Sequence, residues 1–120
     1  MTQDTGAGRA GVVSPRPSGT GCGPCLGLDG GWWFHLRRCV ACGEVGCCDS
    51  SPGQHASTHA RQTGHHVIVS FEPGEDWSYD FDDDRVGAAI ALPPPVSRPD
   101  EQGAPAPADR VPADWTARLH

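Results

Sequence analysis

The sequence predicts a small α+β domain between two disordered tails. The 16 Gly and 12 Pro cluster toward the chain ends, where no apolar periodicity occurs, and this favours disorder over residues 1–20 and 87–120. All six Cys and five of the six His fall within residues 21–86. Strand, helix and hairpin patterns follow one another in that part of the chain. We therefore place the folded domain at residues 21–86.

The domain opens with two Cys-x-x-Cys pairs, Cys22/Cys25 and Cys39/Cys42. The first pair lies in the Gly-rich turn CGPC, which lets two thiolates point at one centre. The run GGWWFHLRRC predicts a turn and then a strand that ends at the second pair. The following GEVGCC predicts a tight knuckle that returns either Cys47 or Cys48 toward one of the pairs.

Two adjacent residue pairs in this run give further expectations. Trp32 and Trp33 are neighbours on a predicted strand, so they should face opposite sides, one in the core and one exposed. Arg37 and Arg38 are expected to form a solvated pair, although either could bind an anion.

The segment SPGQHASTHARQTG carries the clearest helix signals. Ser51 is a candidate N-cap, Pro52 suits the first helical position and Gln54 completes a capping box. Gly64 is placed to end the helix.

This helix places histidines on one face. His55 and His59 lie four residues apart, which puts their imidazoles one turn from each other, and His65 follows just past the predicted end.

The last part of the domain predicts a hairpin. HVIVSF and WSYDF are strand-like segments joined by the turn PGED. Alternation puts Trp77, Tyr79 and Phe81 on one face of the second strand. The acidic run at residues 80–84 is expected to lead out of the domain.

The composition and charge indicate which cellular compartment and which classes of binding partner to expect. The net charge is -6, and all nine basic residues are Arg, so no basic stripe for nucleic acid is present. No apolar run reaches the roughly 20 residues of a membrane span, and no leader precedes the first Cys. We expect a cytoplasmic monomer with reduced thiols. The absence of Lys beside abundant Ala, Gly, Pro and Arg suggests a G+C-rich bacterial genome.

Clustered reduced thiols and imidazoles indicate a metal-binding site. Structural zinc takes four Cys or His ligands in a tetrahedron. The two Cys pairs, one knuckle cysteine and three histidines supply eight ligands, which is enough for two zinc ions. Three disulfides would instead need an oxidising compartment, and a CGPC redox site would need a βαβ context that the sequence lacks.

The motifs CGPC and WFHLRRCVACGEVGCCDSSPGQHASTHARQTGHHVIVSFEPGEDWSYDF resemble the UBP-type zinc finger of ubiquitin-specific proteases, especially its short bacterial version. The resemblance implies a twisted antiparallel sheet with one main helix packed across it, stabilised by zinc. It also implies two interleaved zinc sites, the first formed by Cys22, Cys25, Cys47 and His55, and the second by Cys39, Cys42, His59 and His65.

The resemblance further implies a pocket for a peptide terminus. Ubiquitin-binding members hold a C-terminal Gly-Gly carboxylate with an Arg after the knuckle and with aromatic residues of the late hairpin. Trp77 and Tyr79 match those aromatic residues. Asp49 stands where the Arg would be and would repel a carboxylate, which argues against ubiquitin; Arg37 is a candidate replacement.

We expect a recognition module that binds a peptide segment or chain terminus of a protein partner. It should not be an enzyme, because saturated Cys/His coordination leaves no metal position open for water. The alternative is a redox- or zinc-responsive protein in which the thiolates themselves are the active feature.

Overall fold

The computed structural model of the protein describes residues 15–88 and 90–119. The first 14 residues of the predicted N-terminal tail lie outside this part. No helix among the described residues has both the length and the apolar character needed to cross a bilayer.

Five short strands form one antiparallel sheet. They are β1 (Leu36–Cys39), β2 (Val45–Cys47), β3 (Val67–Ser70), β4 (Ser78–Asp80) and β5 (Arg85–Gly87). Their order in the sheet is β2-β1-β3-β4-β5. One short helix, α1 (Gly23–Leu26), precedes the sheet, and the main helix, α2 (His55–Thr63), lies against β1 and β2. The predicted α+β fold with one main helix on an antiparallel sheet is confirmed.

The main helix ends as predicted but begins differently. Gly64, in the left-handed region at φ 80°, donates its N–H to Ala60 O and ends α2. The predicted N-cap is wrong, because the helix begins at His55 after Gln54, which has φ 49° and no side-chain cap. Ser51 is fully buried, and its hydroxyl oxygen accepts the N–H of Phe34 at 2.8 Å. That contact removes the side chain from the helix terminus.

Two expectations about side-chain exposure are wrong. Trp32 and Trp33 are both buried, because regular strand structure begins only at Leu36 and the alternation rule does not reach them. Arg38 is fully buried instead of solvated. Its guanidinium donates to the carbonyl oxygens of Pro93, Pro95 and Pro15 at 2.7–3.1 Å. These carbonyls replace the water that burial removes.

The predicted hairpin is present as β3 and β4, in which Ile68 pairs with Tyr79 and Val69 with Ser78. The acidic run does not lead out of the domain directly. Residues 81–84 form a turn, and β5 then returns beside β4 with Val86 opposite Tyr79.

The C-terminal segment, residues 90–119, contacts the domain at several points, although its composition predicts a tail. Trp33 and Ala106 exchange two backbone hydrogen bonds of 2.8 and 3.0 Å. Arg98 forms an ion pair with the buried Glu72 at 3.0 Å. The core groups Ala106 with side chains from the domain, namely Cys22, Cys25, Trp33, Leu36, Val45, Cys47 and Phe71.

Candidate metal centres and an aromatic groove

Three elements bring the first set of predicted ligands together. Cys22 and Cys25 flank the first turn of α1, Cys47 ends β2 and His55 begins α2. Their ligand atoms lie within 4.8 Å of one another. The three cysteines are buried and His55 is half-buried. We call this group cluster 1.

The spacing of cluster 1 fits a tetrahedral metal. A Zn–S bond of about 2.3 Å implies sulfur atoms about 3.8 Å apart at tetrahedral vertices. Cys25 Sγ and Cys47 Sγ are 3.8 Å apart. His55 Nδ1 lies 3.2–3.4 Å from the three sulfur atoms. Four donors with these separations surround one point, so cluster 1 could hold a zinc ion.

The thiols of cluster 1 cannot all ionise easily without a cation. Hydrogen bonds with Cys22 and Cys47, together with burial, raise the pKa of Cys25. Hydrogen bonds from Cys22 and Cys25 lower the pKa of Cys47. A bound dication would offset the mutual repulsion of several thiolates.

Close packing of β2 against α2 sets the position of two ligands. A Cβ on Gly46 would stand 2.8 Å from Ala56 N and 3.0 Å from its Cα. Glycine therefore permits the approach that puts His55 N–H 3.2 Å from Cys47 Sγ. Nothing in the local pattern of GEVGCC distinguishes this packing glycine from a turn glycine.

The second set of predicted ligands also meets. Cluster 2 contains Cys39 at the end of β1, Cys42 in the turn that follows, His59 on α2 and His65 just past α2. Cys42 Sγ lies 3.2 Å from His59 Nε2. The buried Nδ1 of His65 has no hydrogen-bond partner within the described part of the chain, which suits a nitrogen that ligates a metal. Cluster 2 could hold a second zinc ion.

One of the two knuckle cysteines lies in a cluster. Cys47 lies in cluster 1, whereas the Cys48 sulfur lies 3.4 Å from the Ser51 hydroxyl and belongs to neither cluster. All eight predicted ligands are thus brought together in the predicted two groups.

The remaining domain histidines have carboxylate partners. His35 Nδ1 lies 3.0 Å from Glu72 Oε1, and His66 Nδ1 lies 2.8 Å from Asp80 Oδ1. The hydrogen bond to Asp80 raises the pKa of His66. Asp82 Oδ2 lies 3.6 Å from His66 Nδ1. Ion pairing explains why His66, Asp80 and Asp82 lie together.

A groove of about 440 Å³ is lined by residues of the sheet, of α2 and of the loop before α2. Its lining includes Ile68 and Tyr79, which pair across β3 and β4. Ala56 of α2 also contributes to the lining. Its lining residues are Arg37, Cys48, Asp49, Ser50, Ala56, Ile68, Trp77, Tyr79, Phe81 and Val86.

The three ligand-binding candidates all line this groove. The Arg37 guanidinium carbon lies 4.7 Å from the centre of the Trp77 ring. Tyr79 packs edge-to-face on Phe81 with ring centroids 5.0 Å apart. The alternation in the sequence predicted that Trp77, Tyr79 and Phe81 lie on one face, and we call these three the aromatic row. It gave no reason to expect Ala56 or Val86 in the groove lining. Those positions become visible only when α2 and β5 are placed around the row.

Comparisons with known proteins agree with this arrangement. The family model for the Zn-finger in ubiquitin-hydrolases and other proteins matches residues 22–87. A solution NMR structure of a protein from Rhodopseudomonas palustris is similar, with a TM-score of 0.61 and 39% identity over 74% of this chain and 90% of that one. No curated protein matches the sequence. The region matched by the family model contains both clusters and every residue that lines the groove.

Proposed function

Because the chain belongs to the family of Zn-fingers in ubiquitin-hydrolases and other proteins, we propose that it is a zinc-stabilised recognition module. Each cluster holds one zinc ion, and the groove binds an extended segment or chain terminus of a partner protein. The observation that carries this proposal is that Arg37 of β1 meets Trp77 and Tyr79, at the start of β4, in one groove.

The metal has a structural part in this proposal. Both clusters supply four Cys or His donors, which fills a tetrahedral zinc and leaves no position for a reacting water. Zinc, when bound, supplies cross-links between α1, β1, β2 and α2. We therefore propose binding instead of catalysis. Since thiolate ligands require reducing conditions, the cytoplasm of a bacterium suits the protein, which we expect to act as a monomer.

The groove has the chemistry of a peptide site. Its volume falls within the roughly 300–1,000 Å³ typical of ligand pockets. Tryptophan and tyrosine offer large apolar faces at small cost in side-chain freedom, and they are enriched at binding hot spots. The exposed Val86 extends the apolar surface along β5.

The metal content is tested by native mass spectrometry of protein purified in zinc without chelator. Two zinc ions with six reduced thiols are expected. Three disulfides and no metal would refute the zinc proposal.

Recognition is tested by Trp fluorescence and NMR titration of the zinc-loaded full chain with three short peptides of one apolar sequence. Two are blocked at both ends and carry a central Lys or a central Glu, and the third has a free Gly-Gly terminus. Saturable binding of at least one peptide is expected, with loss of binding in Trp77→Ala and retention in Trp115→Ala, a tryptophan outside the groove. Failure of all three peptides to bind at millimolar concentration would overturn the recognition proposal.

A second function is favoured by the exposure of cluster 2. Cys42 is exposed, and its partners His59 and His65 are only half-buried, whereas the cysteines of cluster 1 are buried. An accessible thiolate is open to oxidation, which would release the metal. Zinc release at micromolar hydrogen peroxide, abolished in Cys42→Ala protein loaded with one zinc, would favour a redox-responsive role. Peptide binding with oxidant-resistant thiols would favour recognition alone.

A further inference from the structure

The positive charge in the groove is already engaged. Arg37 donates from its guanidinium to Leu36 O at 3.0 Å, and the same group lies over the Trp77 ring. Both contacts hold the guanidinium against the protein. An incoming carboxylate would have to compete with the carbonyl and with the aromatic face for this cation.

The negative charge in the groove is not engaged in the same way. Asp49 is exposed and lines the groove, and its carboxylate has no hydrogen-bond or ion-pair partner within residues 15–88 and 90–119. Among these residues, the hydrogen bond that Asp49 accepts goes to its backbone carbonyl oxygen, from the Gln54 side chain at 2.9 Å. The carboxylate is therefore available to a ligand.

The surroundings of Tyr79 are also negative. Its hydroxyl donates to an Asp84 carboxylate oxygen. That hydrogen bond, with the nearby charges of Asp84, Asp49 and Asp80, raises the pKa of the hydroxyl. The Asp80 carboxylate pairs with His66. Arg85 is the cross-strand neighbour of Asp80 on β5. Asp49 and Asp84 have no such basic neighbour among the described contacts.

We propose that the groove, if it is the recognition site proposed above, binds a Lys or Arg side chain of the partner segment and disfavours a free terminal carboxylate. The aliphatic stem of the side chain lies along the aromatic row, and its cation lies near Asp49. The partner is therefore a basic segment of a protein.

Three physical effects support this occupant. Aromatic faces attract cations through the negative charge on the ring face. Long basic side chains bury an apolar stem while keeping the charged end at a polar group. Finally, the chain carries a net charge of -6, which favours encounter with basic partners over acidic ones.

The test uses zinc-loaded full-length protein and the three peptides introduced above. We expect the Lys peptide to bind at least about tenfold more tightly than the Glu peptide or the free Gly-Gly peptide, as one charge-assisted contact allows. Its affinity should fall as sodium chloride is raised from about 0.05 to 0.5 M, because the pair is exposed to screening.

The deciding variant is Asp49→Asn, which removes the charge and keeps the shape. Its affinity for the Lys peptide should fall about tenfold, while Asp109→Asn, with the same charge change outside the groove, should bind as the parent does. Tighter binding of the Glu or Gly-Gly peptide, through Arg37, would overturn this inference and leave the recognition proposal standing. An unchanged affinity in Asp49→Asn would also overturn it, whereas failure of all three peptides removes both proposals.

Discussion

Cys47 and Cys48 show how strongly a single position determines the role of a thiol. The first ends β2 with its sulfur among the donors of cluster 1, and the second has its sulfur against the Ser51 hydroxyl. Both are buried, so burial does not distinguish them. The local sequence left them interchangeable because both belong to the same knuckle.

We predict that Cys47→Ala binds one zinc ion and that Cys48→Ala binds two. The first change removes a donor from cluster 1, while the second removes only a weak sulfur–hydroxyl contact. Native mass spectrometry of the two variants provides the measurement. A single zinc in Cys48→Ala would show that this residue is a ligand and that the grouping is wrong.

Glu72 is a second residue whose role the sequence did not reveal. It is buried, and it accepts hydrogen bonds from Leu36 N–H, His35 and Arg98. Burial alone would raise the pKa of this carboxyl, but the hydrogen bonds from His35, Arg98 and Leu36 outweigh it and lower the pKa to about 2. The charged form is therefore favoured in the folded protein.

A stability difference that depends on pH follows from this shift. Because the folded pKa lies below the ordinary value of 4.5, Glu72 stabilises the fold above about pH 4.5 and loses this effect as the pH falls toward 2. Glu72→Gln should be less stable than the parent at pH 7, and the gap should narrow by roughly 0.7 kcal/mol between pH 5 and pH 4.

The measurement is urea unfolding of both proteins in excess zinc. Zinc loss affects the two proteins alike, so their difference reports on the carboxyl. A gap that widens as the pH falls would contradict the lowered pKa.

At the scale of elements, contact between β2 and α2 holds cluster 1 together. We predict that Gly46→Ala destabilises the protein by about 1–3 kcal/mol, as overpacking usually does, and weakens zinc retention at cluster 1. The reason is that the added methyl would meet the backbone of Ala56. Gly19→Ala is the matched control, since a Cβ there has no neighbour within 4 Å.

Chemical denaturation and competition with a zinc chelator measure the two effects. Equal stability of Gly46→Ala and Gly19→Ala would show that the helix can shift without cost, which would contradict the close-packing argument.

The features of helices and strands that could be predicted are those that depend on residues close together in the sequence. Gly64 ends α2 as expected, and each Cys-x-x-Cys spacing places two ligands in the same cluster. The His-x-x-x-His spacing places one histidine in each cluster, His55 in cluster 1 and His59 in cluster 2. The start of α2 was not predictable, because Ser51 is occupied by Phe34 N–H, seventeen positions away. Burial of Arg38 depends on carbonyls 55 and 57 positions away, at Pro93 and Pro95. Such distant contacts leave no trace in a local pattern.

At the scale of the whole molecule, the C-terminal segment extends the fold beyond the domain expected from composition. One Arg110 guanidinium nitrogen lies 3.3–3.4 Å from the carbonyl oxygens of Cys25, Leu28 and Gly31. Trp115 lies against Phe34, with ring centroids 5.4 Å apart. Pro- and Ala-rich composition is typical of a disordered segment, yet here the segment makes backbone and side-chain contacts with the domain.

We predict that Arg110→Ala lowers stability by about 1–2 kcal/mol and speeds loss of zinc from cluster 1, because its charged donor holds the loop after Cys25. Arg118→Ala serves as the control, since Arg118 is exposed and, in the part of the chain that the structure describes, pairs only with Asp114. Thermal unfolding and stopped-flow zinc transfer to a chelator give the two readouts. Identical behaviour of the two variants would show that the segment lies on the domain without stabilising it.

The order of the ligands along the chain has a consequence for how the protein acquires metal. Cys22 and His55 of cluster 1 are 33 positions apart, and Cys42 and His59 of cluster 2 are 17 apart, so the two closed loops share residues 42–55. Closing either loop restricts the chain that the other must close, which lowers the entropy cost of the second closure. Loading should thus be cooperative: with one equivalent of zinc, mass spectra should show mainly empty and doubly loaded chains.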